Sequence, residues 1–219
     1  MNKVNVYIDW FNLYHSLRRY GKKYYWLDVK KLSENYLEKW QEINQVYFFT
    51  AYPIWNSDRQ NRHKIYVNAL QSTWVKIRLW KFQKIQKVFN KKNHNIVVPK
   101  NISKIKNILH NIHRILIPPK FMYITHEEKE TDVNISVQIM EDAFKNSYES
   151  AIIISWDSDL ISPIISTKKL FPNKKFKAVL PIWWYWKKIK SICWKTPLII
   201  KSLKTHVRRI KVFTQLLIS

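Results

Sequence analysis

The apolar residues of the chain recur at two spacings, one typical of β-strands and the other typical of helices. Residues 4–8 alternate and are rich in β-branched side chains, which predicts a first strand. Residues 11–20 carry apolar side chains at helical spacing, and Asp28 can cap a second helix that extends to about residue 38. The same patterns predict strands at 45–51, 75–79, 151–155 and 176–180, and helices at 58–72, 131–146 and 159–169.

Strands that alternate with helices indicate an α/β fold, in which a central, mainly parallel sheet is flanked by helices on both faces. The helix predicted at 131–146 is one of the clearest. It carries Val133, Val137, Met140 and Phe144 on one face.

The chain is long enough for one domain with a sizeable core. We expect this domain to span residues 1–182, followed by a basic C-terminal extension at 183–219 made of a loop and helical stretches. Residues 81–120 are the least regular part, because they are basic, rich in Asn and interrupted by prolines. We interpret them as a basic insertion in the main domain, with room for a hairpin near 88–98 and a short helix near 102–115.

Tryptophan and glycine occur in unusual numbers, since the chain has 11 Trp and a single Gly. Average usage predicts about 15 glycines at this length. Trp10 and Trp156 each stand between a predicted strand and a predicted helix, where a turn favours glycine. Our hypothesis is that all of the tryptophans except Trp26 are UGA codons, which some bacterial lineages read as glycine. The alternative is an authentic Trp-rich protein, in which Trp beside Lys would form a stacking platform for nucleic acid.

The formal net charge of +24 favours a polyanionic partner, although an AT-rich genome also enriches lysine. The distribution of the acidic residues is more informative. Nine of the 15 fall between Glu127 and Asp159, and none occurs at 59–126 or 160–219. Mutational drift toward lysine codons in an AT-rich genome would not concentrate carboxylates in one segment. The cluster therefore needs an explanation of its own.

Cysteine usage and the apolar runs restrict the cellular setting. Cys193 is the only cysteine, which excludes an intramolecular disulfide and a cysteine-based zinc site. The first residues change from a strand pattern to a turn, so we expect no signal peptide. The later apolar runs are too short to span a membrane. These features favour a protein of the reducing cytoplasm.

Four aspartates lie where an α/β sheet forms its ligand cleft, beyond the carboxyl ends of the strands. Asp9 follows the first strand, Asp157 and Asp159 follow the strand at 151–155, and Asp132 lies in the first turn of the preceding helix. If these two strands are neighbours, all four carboxylates converge. Because like charges raise one another's pKa, a divalent cation such as Mg²⁺ or Mn²⁺ would relieve the conflict. Such a metal activates water and stabilises charge on a phosphodiester.

Each of these aspartates also has a purely structural interpretation. Asp9 or Asn12 could cap the first helix, and Asp132 could interact with a helix dipole. Asp157 could stabilise an Asx turn, and Asp159 could cap the following helix. Taken singly, these interpretations are about as favourable as catalysis, but they do not explain why all four residues lie near strand ends.

Two sequence motifs resemble those of a known family. With glycine at position 10 the first reads YIDGFNLYHSL, and with glycine at position 156 the second reads HEEKETDVNIS followed by SGDSDL. The motifs are similar to those of the NYN-domain family, in its LabA-like branch, over roughly residues 3–182. The resemblance implies a PIN-like three-layer sandwich and a metal-dependent ribonuclease site. If positions 10 and 156 are genuine tryptophans, their indoles lie beside Asp9 and Asp157 and would be expected to block the cleft.

The resemblance also implies roles for individual residues. The acidic metal-binding set of the family corresponds to four residues of this chain: Asp9, Asp132, Asp157 and Asp159. Asn12 would orient Asp9 or a water molecule, and Ser155 would hold an aspartate. Lys129 would contact the substrate phosphate, although it is equally well interpreted as an exposed lysine in an acidic run.

These observations predict a Mg²⁺- or Mn²⁺-dependent endoribonuclease that acts on RNA, with single-stranded RNA as one option. A second possibility is a non-catalytic RNA-binding or regulatory module on the same fold, which the basic stretches 81–120 and 187–211 would support. A third is a phosphatase of small phosphoesters, which suits the acids but not the positive charge.

Overall fold

The computed structural model describes residues 1–18, 24–90, 120–180 and 194–197. Its strands and helices are, in chain order, β1 (Asn2–Asp9), α1 (Trp10–Arg18), α2 (Val29–Glu34), β2 (Gln41–Ala51), α3 (Ser57–Gln71), β3 (Val75–Trp80), β4 (Phe82–Asn90), β5 (Lys120–Glu128), α4 (Thr131–Phe144), β6 (Ser150–Ile154), α5 (Ile161–Leu170), β7 (Lys175–Leu180) and β8 (Trp194–Pro197). A 3₁₀ turn, Ser158–Leu160, leads into α5. Every strand and helix predicted above for the main domain outside 81–120 is present, with ends that differ by a few residues.

The main sheet has six strands in the order β3-β2-β1-β6-β7-β8, and each neighbouring pair is parallel. The chain runs outward from β1 to β3 and then returns to the other side of β1 at β6. The strand order therefore reverses between β1 and β6, where open α/β sheets form their ligand clefts. The expected pairing of these two strands is confirmed, since Ile8 lies opposite Ile154.

Helices cover both faces of the sheet, which gives three layers. Successive residues of a strand point to opposite faces, so Val6 and Ile8 enter one core and Tyr7 enters the other. The first core contains apolar residues of α1, α2 and α3, and the second contains those of α4 and α5. The fold is therefore the α/β three-layer sandwich that the sequence predicts.

Side-chain caps explain where two of the helices begin. Asp28 accepts a hydrogen bond of 3.0 Å from the backbone N–H of Lys31 and caps α2, as predicted. Asn56 does the same for α3, where it accepts a bond of 2.8 Å from the backbone N–H of Arg59. Such caps satisfy backbone donors that have no partner within the helix.

The orientation of α4 differs from the simplest expectation of its apolar pattern. Val133, Val137 and Phe144 are all more than half exposed, so their face of the helix does not pack on the sheet. The buried face carries a different set of residues: Thr131, Ile135, Gln138, Ile139, Asp142 and Ala143. Because the polar side chains of Gln138 and Asp142 lie on the buried face, the spacing of apolar residues alone points to the wrong side.

Residues 83–127 form a second compact unit, of which the structure describes 83–90 and 120–127. In it, β4 and β5 pair as a two-stranded sheet, and Lys87 forms an ion pair with Glu127. The hairpin predicted near 88–98 lies largely outside the described residues, and the helix predicted near 102–115 lies entirely outside them.

Most of the predicted C-terminal extension also lies outside the described residues. Its described part, β8, is a short strand that adds to β7. This differs from the loop and helical stretches expected there. The longest helix of the described chain is α3, with 15 residues, and no helix in that part has the length and apolar character needed to cross a membrane.

The tryptophans differ in backbone conformation. Trp74 follows α3 with a φ of 65°, and 86% of the residue is exposed. This φ lies in the left-handed region, where glycine is favoured and a β-carbon is costly. Trp10 and Trp156 do not share this conformation, because neither has a positive φ. The backbone argument for glycine therefore applies at Trp74 and not at the two turns where we expect it.

Candidate metal centre

The carboxyl ends of β1 and β6 bring two of the site residues together. Asp9 is the last residue of β1, Ser155 directly follows β6, and both are buried. The Ser155 hydroxyl donates a hydrogen bond of 3.1 Å to Oδ2 of Asp9 and accepts one of 3.0 Å from the backbone N–H of Asp157. Ser155 therefore links Asp9 to the segment that carries Asp157.

Asn12 binds Asp9 from the first turn of α1. Its backbone N–H donates to Oδ1 of Asp9 at 3.1 Å, and its side-chain amide donates to Oδ2. Asp9 thus caps α1, which is the structural role considered for it above. The same bonds, with that from Ser155, fix the orientation of its carboxylate at the edge of the sheet.

Three carboxylates meet near this edge: Asp132, Asp157 and Asp159. One oxygen from each residue lies within 4.8 Å of the oxygens of the other two. Asp132 lies in the first turn of α4 and Asp157 precedes the 3₁₀ turn that contains Asp159. Asp132 and Asp157 are half-buried, whereas Asp159 is exposed. Asp9 is not a member of this group, so the structure brings together three of the four expected carboxylates at this spacing.

The charges of these residues influence one another. Burial raises the pKa of Asp132, and the negative charges of Asp157 and Asp159 raise it further. Burial raises the pKa of Asp9 to about 6, against the opposing hydrogen bonds from Asn12 and Ser155. The charge of Asp132 adds to the upward shift of the Asp9 pKa. Asp9 therefore lies within electrostatic reach of the three-carboxylate group.

The composition of the site fits a hard divalent cation. Carboxylate oxygens are the ligands that Mg²⁺ and Mn²⁺ prefer, and three of them on two segments can share one ion. In addition, Oδ1 of Asn12 is buried and accepts no hydrogen bond within the described part of the chain. An acceptor in this position suits a water of a hydrated cation, because Mg²⁺ keeps several waters.

Two other residues that the sequence places at the site are more exposed than Asp9 and Ser155. Lys129 is exposed on the segment between β5 and α4, three residues before Asp132. Its contact with a substrate phosphate stays a prediction. Trp156, between Ser155 and Asp157, is half-buried.

The indole of Trp10 does not enter the cleft. It is 5% exposed and packs in the first core against the rings of Phe48, His63 and Tyr66. The expectation that this indole blocks the cleft is wrong, because the side chain of Trp10 points into the core, whereas that of its neighbour Asp9 stays at the sheet edge. If glycine occupies position 10, the space of the indole ring must be filled in another way.

A second polar group, which sequence analysis did not single out, lies at the other end of α4. Asp142 is 4% exposed, and four side chains donate hydrogen bonds to it: Asn5, Tyr7, Tyr47 and Gln138. The available signal was the spacing of Gln138 and Asp142, which are four residues apart on the helical face that also carries Ile135.

Comparison with known protein families supports the nuclease-type fold. Residues 94–170 match the model of the family described as NYN domain. The match covers about a third of the chain and includes Asp132, Asp157 and Asp159, whereas Asp9 and Asn12 precede it. NYN domains are generally PIN-like nucleases, and the mainly parallel sheet with flanking helices is consistent with that fold.

One curated relative has a name from another class of activity. It is 6-hydroxy-3-succinoylpyridine 3-monooxygenase HspA from Pseudomonas putida, which is 24% identical over 200 residues. The alignment covers 82% of this chain and 59% of that protein, so the chain spans less than two thirds of its relative.

A solved structure is similar over most of both chains. It is the crystal structure of a protein of unknown function from Vibrio parahaemolyticus, with a TM-score of 0.50 and 13% sequence identity. The similarity covers 90% of this chain and 93% of the other. At this identity the likeness supports the fold alone.

Proposed function

We propose that this protein is a metal-dependent endoribonuclease of the LabA-like branch of NYN domains, active in a reducing cytoplasm. The observation that carries the proposal is the group of three carboxylates, Asp132, Asp157 and Asp159, within 4.8 Å of one another beyond the central strands. The net charge of +24 supports RNA as the substrate, because basic surfaces hold the phosphate backbone while the acids hold the metal.

The residues around the cluster have distinct roles in this proposal. Asp132, Asp157 and Asp159 would hold Mg²⁺ or Mn²⁺, with Asp9 at the edge of the site. When bound, such an ion activates water and stabilises the charge that develops on the phosphodiester. Asn12 and Ser155 orient the Asp9 carboxylate, and Oδ1 of Asn12, which is buried and has no partner among the described residues, would accept a hydrogen bond from a water of the hydrated cation. Lys129 would contact a phosphate of the substrate.

Cleavage of labelled RNA tests the proposal. Single-stranded and double-stranded oligonucleotides are incubated with the protein in Mn²⁺ or in EDTA, for the wild type and for Asp157→Asn. Because a catalytic metal is worth several kcal/mol of transition-state stabilisation, we expect the variant to lose about a thousandfold in rate. The control is Asp58→Asn, which removes an exposed carboxylate in the first turn of α3.

Three results would contradict the proposal. Equal cleavage by the wild type and Asp157→Asn would refute the assignment of the three carboxylates as the active site. Salt-sensitive RNA binding without metal-dependent cleavage would favour the non-catalytic RNA-binding module. Hydrolysis of p-nitrophenyl phosphate but not of RNA would favour the phosphatase.

A monooxygenase is a second candidate, which the similarity to the Pseudomonas putida protein favours. Its test is oxygen uptake in the presence of 6-hydroxy-3-succinoylpyridine and a nicotinamide reductant. Uptake that depends on the pyridine would favour this class, and uptake equal to that of buffer would count against it.

We also propose that the tryptophans other than Trp26 are glycines in the protein as its host makes it. The conformation of Trp74 supports the proposal, since it is left-handed and exposed. The burial of Trp10 argues the other way at that position. The codons of the gene and the intact mass of the native protein decide the question. A mass that agrees with 11 tryptophans would refute the proposal.

A further inference from the structure

A polar cavity of about 340 Å³ lies at the end of α4 that is remote from Asp132. It is lined by side chains of β2, β3, α4 and the segment that follows α4, among them Tyr47, Lys76, Arg78, Gln138 and Lys145. The helix rises about 1.5 Å per residue, so Asp142 at this end lies about 15 Å along α4 from Asp132. This distance separates the cavity from the three-carboxylate group.

The buried carboxylate of the cavity wall, that of Asp142, has no acceptor capacity left. Oδ2 of Asp142 accepts hydrogen bonds from Asn5 and Tyr7 at 2.9 Å and 2.7 Å. Its Oδ1 accepts from Tyr47 at 3.2 Å and from Gln138 at 3.0 Å. Four donors occupy the lone pairs of this carboxylate. Asp142 therefore organises its neighbours and is not itself available to a ligand.

These neighbours hold Arg78 in one position. Nη2 of Arg78 donates a hydrogen bond of 2.7 Å to Oε1 of Gln138, whose amide is fixed in turn by Asp142. The guanidinium also lies over the ring of Tyr47, 5.6 Å from its centroid, and the hydroxyl of that ring is bound to Asp142. An exposed arginine is thus oriented from two sides by buried groups. Most of its five N–H donors are not used by these contacts.

A second cation lies beside Arg78 on the same face of β3. Lys76 is two residues away along the strand, and its ammonium is 5.7 Å from the centroid of the Tyr47 ring. Lys145 completes the cationic group but forms an ion pair with Glu141, whose pKa is lowered by Lys145 and, to a smaller extent, by Arg78. With Asp142 saturated and Glu141 engaged, the charged groups of the cavity that remain for a ligand are the cations Lys76 and Arg78, beside neutral groups such as the amides of Asn44 and Gln45.

We propose that Arg78 and Lys76 bind a phosphate group at this cavity. The phosphate belongs to the backbone of an RNA strand that also occupies the three-carboxylate group and extends from there to the cavity. An oriented guanidinium is suited to phosphate, because its planar N–H groups can bind two oxygens at once. At about 3.4 Å per stacked nucleotide, the 15 Å along α4 correspond to about four nucleotides. The identification of RNA rests on the proposed function, whereas a free nucleotide offers the same phosphate chemistry.

The test measures binding without cleavage. Affinities for a 12-nucleotide single-stranded RNA and for uridine 5′-monophosphate are determined in EDTA over a range of salt concentrations, for the wild type and Arg78→Ala. We expect Arg78→Ala to bind the RNA about tenfold more weakly, since a hydrogen bond to a charged group is lost. The slope of log K against log salt should fall by about 0.7 for the lost phosphate contact.

Two further variants separate orientation from charge. Gln138→Leu keeps the charge of Arg78 but removes its hydrogen-bond partner, so we expect a smaller loss of affinity with an unchanged salt slope. Arg62→Ala, at an exposed arginine of α3, is the charge-matched control and should lower affinity less than Arg78→Ala does. Thermal unfolding of each variant confirms that the fold is retained.

The outcomes distinguish this site from the nuclease proposal. If Arg78→Ala weakens binding of uridine 5′-monophosphate but not of the RNA, the phosphate site stands and its source is a small nucleotide. Equal binding of both probes by the wild type and Arg78→Ala overturns the proposal, and so does a wild type that binds neither. Loss of RNA cleavage in Asp157→Asn has no bearing on these results, because no metal is present.

Discussion

The two ends of α4 each carry an aspartate, and they solve the problem of a buried negative charge differently. Asp142 is almost fully buried and receives four hydrogen bonds from neutral side chains. Asp132 is less buried, but it faces two further carboxylates, which together with burial raise its pKa. The first charge is stabilised by the protein itself, and the second, under the proposed function, would be neutralised by a bound cation.

This difference shows that burial of an acidic residue does not by itself indicate function. A carboxylate whose lone pairs are filled by donors contributes to the fold, and its removal leaves those donors unsatisfied. A carboxylate that is held close to others of the same charge opposes folding in the absence of a ligand. Repulsion between neighbouring carboxylates, more than the depth of their burial, identifies the candidate site.

The largest predicted effect is a difference in stability between two matched variants, one at each end of α4. We expect Asp142→Asn to lower the free energy of unfolding by about 3 kcal/mol, because an amide group would then face four buried donors. We expect Asp132→Asn to change it by less than about 1 kcal/mol, in the stabilising direction, because a repulsive charge is removed. Urea denaturation of both variants in EDTA provides the measurement. Similar losses of stability in the two variants would break the distinction.

Asp9 is intermediate between these cases and predicts a pH dependence. It receives hydrogen bonds from Asn12 and Ser155, yet burial raises its pKa from 3.8 to about 6. The folded state therefore binds more protons than the unfolded state between about pH 4 and pH 6, and the contribution of Asp9 to stability is lost as pH rises through that window.

The pH dependence is measured as a difference between two proteins. Relative to Asp9→Asn, the metal-free wild type should lose about 2 kcal/mol of unfolding free energy from pH 4 to pH 7. Asp58→Asn serves as the control for an exposed carboxylate. A difference between the wild type and Asp9→Asn that does not vary with pH would mean that the pKa of Asp9 is not raised.

The smallest predicted effect concerns the turn before β3, at the same end of the sheet as Asp142. The backbone carbonyl of Trp74 there accepts a hydrogen bond of 3.2 Å from Gln45, which also lines the polar cavity. Because a left-handed residue with a β-carbon is strained by about 1 kcal/mol or more, we expect Trp74→Gly to stabilise the protein by about 1 kcal/mol. Trp40→Gly is the control, since Trp40 is also exposed but has no positive φ. Equal effects of the two substitutions would contradict this explanation.

Much of the fold could be predicted because it depends on local periodicity. The apolar runs at β2 and β6 are continuous, since these strands are buried on both faces, and β1 is recognised by its alternation and β-branched residues. The helices between them show caps such as Asp28. The position of Asp9, Asp157 and Asp159 beyond strand ends followed from the same pattern.

The remaining features depend on tertiary contacts that periodicity does not encode. The buried face of α4 contains Gln138 and Asp142, whose partners come from strands far away in sequence. The side chain of Trp10 turns into an aromatic core instead of the cleft, which depends on Phe48 and Tyr66. Asp9 is likewise held by bonds to Asn12 and Ser155 and is not a member of the three-carboxylate group, which the strand pattern alone does not predict.

The central claim is that carboxylates from α4 and from the turn after β6 bind one divalent cation. Titration with Mn²⁺, followed by calorimetry for the wild type, Asp132→Asn and Asp58→Asn, tests it most directly. We expect one ion per chain, with affinity reduced at least tenfold in Asp132→Asn and unchanged in Asp58→Asn. If the wild type binds no Mn²⁺, or if all three proteins bind it equally, the three carboxylates do not form a metal centre.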